Sequence, residues 1–242
     1  MKVIAGGMTN RGAIRLKNHD RITFHIKNFK KRVIAIGCIC DGIGSFENSE
    51  IASEIVIQKI DEWFPWVTRQ YENGMSEEDI VEELANTIHE ANETIFLLSK
   101  EREFQIGCTA SVLLIINDRY YVFHVGDSRI CGFRDGVMTQ ITRDEVSVRE
   151  INGQVKTRLV NFMGRTMELW LSRINGEVRE EDYFVLGSDG LFHQMMPEDF
   201  QTLMTKVKND TQVQHICEKA LQIVLSRGER DNISCVILQA KK

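Results

Sequence analysis

Alternating apolar and polar positions near the start of the chain predict three β-strands. The segments are 2 to 8, 21 to 27 and 32 to 40, and each is rich in β-branched residues. Apolar residues then recur at helical spacing from 47 to 64 and from 76 to about 100. The first part of the chain is therefore expected to fold as three strands followed by two amphipathic helices.

The remaining pattern starts with closely spaced strands and ends with helices and a last strand. It predicts three strands joined by tight turns, a fourth strand, a region of two helices and a final strand: 109 to 116, 120 to 125, 130 to 133, 182 to 187, 197 to 226 and 233 to 239. Because strands cluster in hairpins and helices come in pairs, this order disfavours a parallel doubly wound sheet. It favours antiparallel sheets that pack together with helices outside.

Length and composition favour a single domain over residues 1–242. The chain has 43% hydrophobic residues, which is ample for a core. It contains only two prolines, Pro65 and Pro197, and no stretch rich in Pro, Gly or Ser marks a linker.

Charge and cysteine content narrow the class of protein. The net charge of −5 and the lack of a basic stripe give no support for nucleic-acid binding. The N-terminal segment lacks the apolar region of a signal peptide, and no apolar run approaches a membrane span in length. Six cysteines are scattered through apolar segments: Cys38, Cys40, Cys108, Cys131, Cys217 and Cys235. Without the spacing of a zinc or disulfide framework, we expect buried thiols in a cytoplasmic protein with no membrane insertion.

Aspartates next to glycine or asparagine occur where four apolar segments begin or end. They are Asp41, Asp127, Asp189 and Asp231. A carboxylate at the end of a buried strand is partly desolvated, and an unpaired desolvated charge is costly. Several such carboxylates can converge if a divalent cation neutralises them. Ligands that are all oxygen favour Mg²⁺ or Mn²⁺ over zinc, so the pattern predicts a metal site.

Six short segments occur in a characteristic order along the chain. They are residues 12–20 (GAIRLKNHD), 41–45 (DGIGS) with 50–53 (EIAS), 107–110 (GCTA), 125–129 (VGDSR), 186–192 (LGSDGLF) and 231–234 (DNIS). In this order they resemble the metal-dependent serine/threonine protein phosphatases of type 2C, the PPM family. The resemblance covers nearly the whole chain.

The resemblance implies both a fold and an activity. The implied fold is α+β, a four-layer α-β-β-α sandwich of two antiparallel sheets flanked by helix pairs, with the metal site in a cleft at one edge. The implied reaction is hydrolysis of phosphoserine and phosphothreonine in proteins by a water activated between two divalent cations, Mn²⁺ or Mg²⁺. The implied partners are phosphorylated proteins, including a serine/threonine kinase or its substrates.

The resemblance also implies a role for particular oxygen atoms in metal binding. Asp41 would bridge two metals, and the Gly42 carbonyl, Asp189 and Asp231 would complete the protein ligands. Asp127, together with Asp189, would hold a third metal in some relatives. Asp127 could equally be a hairpin-turn aspartate with a structural role.

Two further residues would act on the substrate and on water. Arg15 would clamp the substrate phosphate, because a planar guanidinium can donate two charge-assisted hydrogen bonds to two phosphate oxygens. Asp20 would orient metal-bound water as a hydrogen-bond acceptor. The catalytic set expected from the resemblance is thus Arg15, Asp20, Asp41 and Asp189.

The chain departs from the family pattern in three places. His19 stands where an acidic residue is usual, and its imidazole would weaken the second metal or alter the pH dependence. Ile43 and Phe46 occupy positions where some members carry a histidine, so leaving-group protonation would fall to a metal-bound water or to His19. The segment between Thr142 and Gly164 is short for the flap over the active site, so substrate selection would differ.

Two alternatives remain open beside an active protein phosphatase. One is a catalytically weakened family member that acts as a phosphoprotein-binding or regulatory module. The other is a metal hydrolase for a small phosphate ester, although no nucleotide or sugar recognition motif supports it. Cysteine-dependent phosphatase chemistry is disfavoured, because no cysteine is followed by arginine at the spacing of that loop.

Overall fold

A computed structural model describes residues 1–44, 46, 48–151, 154–204 and 209–241. Its elements, in chain order, are β1 (Lys2–Asn10), β2 (Arg21–Asn28), β3 (Val33–Cys40), α1 (Glu50–Glu72), α2 (Glu77–Glu101), β4 (Ala110–Ile116), β5 (Arg119–Val125), β6 (Arg129–Arg134), β7 (Val137–Gln140), β8 (Val146–Ile151), β9 (Gln154–Leu159), β10 (Ser172–Glu177), β11 (Tyr183–Gly187), α3 (Asp189–Phe192), α4 (Pro197–Leu203), α5 (Asp210–Ser226) and β12 (Ile233–Lys241). Ser45 of the second motif and Glu47, the first residue of a predicted helix, lie outside the described residues.

Two five-stranded antiparallel sheets form the centre of the fold. One has the strand order β1-β12-β11-β6-β7 and the other β10-β5-β4-β3-β2, and β8 and β9 form a separate hairpin. Helices α1 and α2 cover one sheet, and α3, α4 and α5 cover the other. The predicted α+β fold of two antiparallel sheets flanked by helices is confirmed.

Three hydrophobic cores separate the layers, and β3 shows how one strand serves two of them. Ile34, Ile36 and Cys38 pack in the core against α1 and α2. Val33, Ala35 and Ile39 pack between the two sheets. All eight residues of β3 are buried, because both faces of the strand are covered. This double coverage explains the uninterrupted apolar character of the segment.

Several elements, among them β7, β8 and β9, differ from the sequence-based prediction, and two further cases have a clear physical reason. Helix α1 continues to Glu72, although the apolar pattern predicted a helix only as far as residue 64. Val67 and Tyr71 extend its buried face beyond the proline, and their packing outweighs the hydrogen bond that proline cannot donate. Strand β10 was not predicted, because it is a polar edge strand in which half-buried and exposed residues alternate.

One edge of the sandwich gathers the ends of strands from both sheets. The residue pairs nearest this edge are Arg21 with Cys40, Ala110 with Val125, Gly187 with Arg129, and Gly187 with Cys235. The aspartates predicted to act together lie within four residues of these pairs in sequence. Antiparallel pairing therefore brings to one edge residues that are far apart along the chain.

All six cysteines are buried and free, as predicted. Cys38 and Cys40 lie on the same face of β3, with their Sγ atoms 3.7 Å apart. Among the helices of the described residues, none combines the length and the apolar composition that crossing a membrane requires.

Candidate active site

A small cleft at this edge contains most of the residues predicted to be functional. Its volume is about 160 Å³. It is lined by Arg15, His19, Asp41, Gly42, Ile43, Gly44, Thr109, Asp127, Leu159, Asp189, Asp231 and Asn232. Asp20 does not line the cleft but is fully buried beside it. The structure therefore brings together every residue of the predicted site.

Asp41 is fixed at the end of β3 by the residue that precedes β4. The Asp41 backbone N–H donates to Thr109 Oγ1 at 2.9 Å, and the Asp41 carbonyl accepts from the Thr109 backbone N–H at 2.8 Å. Thr109 Oγ1 also lies 2.7 Å from Ser128 Oγ, next to Asp127. These bonds hold the Asp41 backbone at the position where the residue lines the cleft.

The carboxylates of the cleft carry the electrostatic signature of a cation site. Burial raises the pKa of Asp41 well above its usual range, and repulsion from Asp20 and Asp189 raises it further. Burial likewise raises the pKa of Asp189. It raises the pKa of Asp20 and of Asp127 to about 6. Each shift means that the ionised form is disfavoured where no cation compensates it.

Two aspartate oxygens at this edge are buried without a hydrogen-bond donor. They are Asp20 Oδ1 and Asp189 Oδ1, and neither has a partner among the described residues. The other Asp20 oxygen accepts from Ser234 Oγ at 2.6 Å. Unpartnered buried oxygens in a cluster of carboxylates suit a hard divalent cation, which prefers oxygen ligands. The residues present therefore fit Mn²⁺ or Mg²⁺.

Arg15 and Asp231, predicted to hold phosphate and metal respectively, are paired with each other. Arg15 Nε donates to Asp231 Oδ1 at 2.8 Å, and Nη2 donates to Oδ2 at 2.6 Å. Both side chains are partly exposed, at 43% and 33%. The pKa of Arg15 is raised first by this hydrogen bond and further by Asp41 and Asp189. Among the described residues, no group of three or more His, Cys, Asp or Glu side chains is arranged to chelate a metal ion.

Asn232 fastens the segment that carries Arg15 to the loop that carries Asp231. Its Nδ2 donates to the carbonyls of Arg11 and Lys17 at 2.8 and 3.0 Å. Its Oδ1 accepts from the His19 backbone N–H at 2.8 Å. Sequence analysis quoted Asn232 only as part of a motif, because its partners are backbone atoms more than two hundred positions away.

Glu229 is a second residue that sequence analysis missed. Its side chain is 7% exposed, and Oε1 accepts from the backbone N–H groups of Arg230 and Asp231 at 2.8 and 3.0 Å. His193, to which no role was assigned, lies on the rim with Nδ1 3.6 Å from Glu229 Oε2 and Nε2 3.8 Å from Asp189 Oδ2. Nothing in the sequence distinguishes Glu229 from an acidic residue in a surface turn.

His19 lies beside an acidic residue contributed by the next helix. Its Nδ1 is 2.8 Å from Ser49 Oγ and 3.3 Å from Glu50 Oε2. Glu50 also accepts from Lys17 Nζ at 2.6 Å. Burial lowers the pKa of His19, although Glu50 opposes that shift. Glu50 thus supplies a carboxylate at the corner where the family pattern has an acidic residue in place of His19.

The flap segment forms the β8–β9 hairpin, which reaches the cleft at its base. Leu159, the last residue of β9, lines the cleft. Glu145, just before β8, accepts from the Gly126 backbone N–H through Oε2 at 2.9 Å. Phe162 packs against Phe46 with ring centroids 5.7 Å apart. The hairpin is therefore anchored to the turn that carries Asp127.

Comparison with known proteins agrees with this geometry. The family model for protein phosphatase 2C matches residues 15–226 of the chain. The chain belongs to the protein phosphatase 2C family. It is therefore a hydrolase of the protein phosphatase class, and the resemblance found in its motifs is confirmed.

Individual family members cover almost the whole chain. It is 24% identical over 244 residues to the protein phosphatase PhpP of Streptococcus pneumoniae, covering 96% of this chain and 95% of that protein. It is 27% identical over 249 residues to the serine/threonine phosphatase stp of Listeria innocua, covering 96% and 93%. The catalytic domain of the serine/threonine protein phosphatase PstP, solved in complex with 2 manganese ions, has a TM-score of 0.76 at 21% identity and covers 100% of this chain and 99% of that domain.

Proposed function

We propose that this chain hydrolyses phosphoserine and phosphothreonine in proteins with the help of two divalent cations, Mn²⁺ or Mg²⁺. The observation that carries the proposal is the cluster of partly buried carboxylates, with an unpartnered Asp189 Oδ1, beside the Arg15 guanidinium. Its protein phosphatase 2C family membership supports the proposal, as do the names of the bacterial relatives and the two manganese ions of the PstP domain.

The metal ligands would come from three strand ends and a loop. Asp41, the Gly42 carbonyl, Asp189 and Asp231 would hold the two ions, and Asp127 would add to a third site together with Asp189. Bound ions would supply the positive charge that offsets the transition state and lowers the pKa of the attacking water. The raised pKa of Asp41 and of Asp189 supports this assignment, because a bound cation would favour the ionised carboxylates.

Arg15 would bind the phosphate of the substrate, and this requires it to leave Asp231. Both donors that form the planar fork are engaged with Asp231 oxygens. A phosphate presents two oxygens with similar spacing, so the guanidinium can exchange one acceptor pair for the other. Release of Asp231 makes its oxygens available to a metal ion, which couples the two events.

Asp20 would act on the attacking water. Its Oδ2 is held by Ser234, while Oδ1 remains without a donor. A fixed acceptor beside the cleft can orient the water and accept its hydrogen bond. His19 is a candidate for protonating the leaving group, and Ser49 Oγ, 2.8 Å from Nδ1, would orient its ring.

The broader biological assignments are also proposals. Residues 1–242 would form one domain, which the lack of a linker composition supports. The six buried free thiols are typical of a cytoplasmic protein. The substrates would be phosphorylated proteins in a signalling system, including a serine/threonine kinase or the proteins that the kinase phosphorylates.

The decisive experiment measures hydrolysis of a phosphothreonine peptide. We expect turnover with Mn²⁺, none with chelator, and turnover lowered on the order of a thousandfold for Asp189→Asn. Tight phosphopeptide binding without metal-dependent turnover would instead identify a binding or regulatory module. Catalytic efficiency that is higher for nucleotides or sugar phosphates than for phosphopeptides would identify a small-ester hydrolase.

A further inference from the structure

A second, larger depression lies beside the flap hairpin. This hairpin groove is formed by residues 143–146, 160–161 and 170–174 and has a volume of about 840 Å³. Its apolar lining includes Val160 and Trp170, whose exposed fractions are 40% and 77%. A tryptophan this exposed on a soluble surface is a candidate contact for another molecule, because its ring can bury a large apolar area.

The hairpin groove and the catalytic cleft are lined by neighbouring residues at the base of the flap hairpin. Leu159 lines the cleft and the next residue, Val160, lines the groove. Glu145 lines the groove while binding the backbone of Gly126, next to Asp127 of the cleft. A polypeptide whose phosphorylated residue occupies the cleft therefore has an adjacent surface along which its chain can continue.

A hydrogen-bond network around Glu145 fixes the shape of the groove before any ligand binds. Besides the Gly126 N–H, its carboxylate accepts from Asn161 Nδ2 at 2.7 Å and from Ser172 Oγ at 2.8 Å. Asn161 Nδ2 also donates to the Trp170 carbonyl at 2.8 Å. The backbone that presents the Trp170 ring is thus fixed, which lowers the entropic cost of binding.

One positively charged side chain of the groove is available to a ligand. Asp144 is paired with Arg129, and Arg173 is paired with Glu82. The Arg143 side chain is exposed and has no ion-pair or hydrogen-bond partner among the described residues. The groove therefore combines an apolar surface with one available positive charge.

We propose that the hairpin groove binds the substrate polypeptide next to its phosphorylated residue, with an apolar side chain against Trp170 and an acidic side chain at Arg143. This proposal rests on the phosphatase function proposed above and specifies its substrate class. It predicts that the enzyme distinguishes phosphoproteins by the residues around the phosphate, whereas a small phosphate ester does not sense the groove.

The test compares peptides with a small ester on the full chain with Mn²⁺. One set of phosphothreonine peptides carries a single leucine, and a second set a single glutamate, moved through each flanking position. We expect Trp170→Ala to raise KM for the preferred leucine peptide about tenfold with kcat unchanged. Arg143→Gln should raise KM only for the preferred glutamate peptide, by roughly two- to fivefold. Neither change should alter the constants for p-nitrophenyl phosphate.

The control is Trp66→Ala, which removes a 38% exposed tryptophan on α1 that does not line the groove. It should leave every KM unchanged. Equal effects of Trp170→Ala on peptides and on p-nitrophenyl phosphate, or no effect on any peptide, would overturn the proposal. The proposed function and the groove are tested by separate measurements. Absence of turnover by the wild-type chain with Mn²⁺ would refute the proposed function. Peptide dissociation constants measured in chelator test the groove alone: weaker peptide binding by Trp170→Ala supports it, and unchanged binding refutes it.

Discussion

Strand β11 has an aspartate next to each end, and the two have opposite surroundings. Asp182 precedes the strand, and its side chain is 4% exposed. Arg134 Nε donates to its Oδ1 at 2.6 Å, and the Arg179 backbone N–H donates to its Oδ2 at 2.7 Å. Asp189 follows the strand, and its Oδ1 is buried without a donor among the described residues. Asp182 is therefore neutralised by an arginine of the chain, whereas Asp189 Oδ1 has no such partner among the described residues.

This difference separates a structural carboxylate from a candidate ligand. Burial of an aspartate is common to both ends, so burial alone does not indicate function. What distinguishes the cleft is that its carboxylates repel one another and that Asp20 Oδ1 and Asp189 Oδ1 are buried without a donor among the described residues. Such an arrangement reduces the stability of the folded chain unless a ligand supplies the charge. The same substitution at the two ends of β11 should therefore have opposite consequences.

The largest effect is expected from Asp189→Asn, which removes a candidate metal ligand. Turnover of a phosphothreonine peptide with Mn²⁺ should fall on the order of a thousandfold. Thermal unfolding in chelator should occur at an equal or higher temperature than in the wild type, because one repelling carboxylate has been neutralised. Full activity with a lowered unfolding temperature would show that Asp189 is a structural residue like Asp182.

Asp182→Asn is the matched substitution at the other end of the strand. It removes the charge that engages Arg134, so two charge-assisted hydrogen bonds weaken in a buried position. We expect the free energy of unfolding to fall by about 2 kcal/mol, with kcat and KM of the folded enzyme unchanged. The measurement is denaturant unfolding combined with steady-state kinetics. An unchanged stability would mean that the Arg134 pair contributes no more than a surface ion pair.

Hydrophobic periodicity predicted most of the fold, because buried strands and helix faces leave a local pattern. The boundary of α1 could not be predicted, since packing of Val67 and Tyr71 beyond Pro65 depends on tertiary contacts. Strand β10 was missed because an edge strand needs a partner on one side only, and its polar residues resemble a loop.

The candidate site was predictable to a different degree at each residue. The aspartates stand out because a charged residue at the end of a buried strand is locally unusual. Asn232 and Glu229 do not stand out, because their role is to bind backbone atoms of loops. The Arg15–Asp231 pair was not predicted either, since the sequence assigned its members to different ligands. Motifs reveal which groups carry the chemistry, and the structure is needed to show how they hold one another.

In the absence of metal, the pH dependence of stability should reveal the repulsion among the carboxylates of the cleft, which Asp182 does not experience. Burial raises the pKa of Asp20 and of Asp127 to about 6 in the folded chain, above the ordinary aspartate pKa of about 3.9. Their contribution to stability is therefore complete below the unfolded pKa and is lost as pH rises through about 6. In chelator we expect the free energy of unfolding to decrease by on the order of a few kcal/mol over this window. Asp20→Asn should flatten the decrease, and saturating Mn²⁺ should reverse it, because the ions bind ionised carboxylates. A chelated chain that becomes more stable across this window would contradict the interpretation.

The smallest of the expected effects is the change in Mn²⁺ affinity caused by Arg15→Ala. The Arg15–Asp231 pair is half-exposed, so it stabilises the free chain by no more than about 1 kcal/mol. Its loss should free both Asp231 oxygens and tighten Mn²⁺ binding by roughly two- to fivefold in isothermal titration. Lys17→Ala is the control. This substitution also removes a nearby positive charge, but Lys17 pairs with Glu50 and not with Asp231. An equal gain in Mn²⁺ affinity in both variants would mean that any loss of positive charge near the site favours the cation. A gain confined to Arg15→Ala would show that the guanidinium competes with the metal for the Asp231 carboxylate.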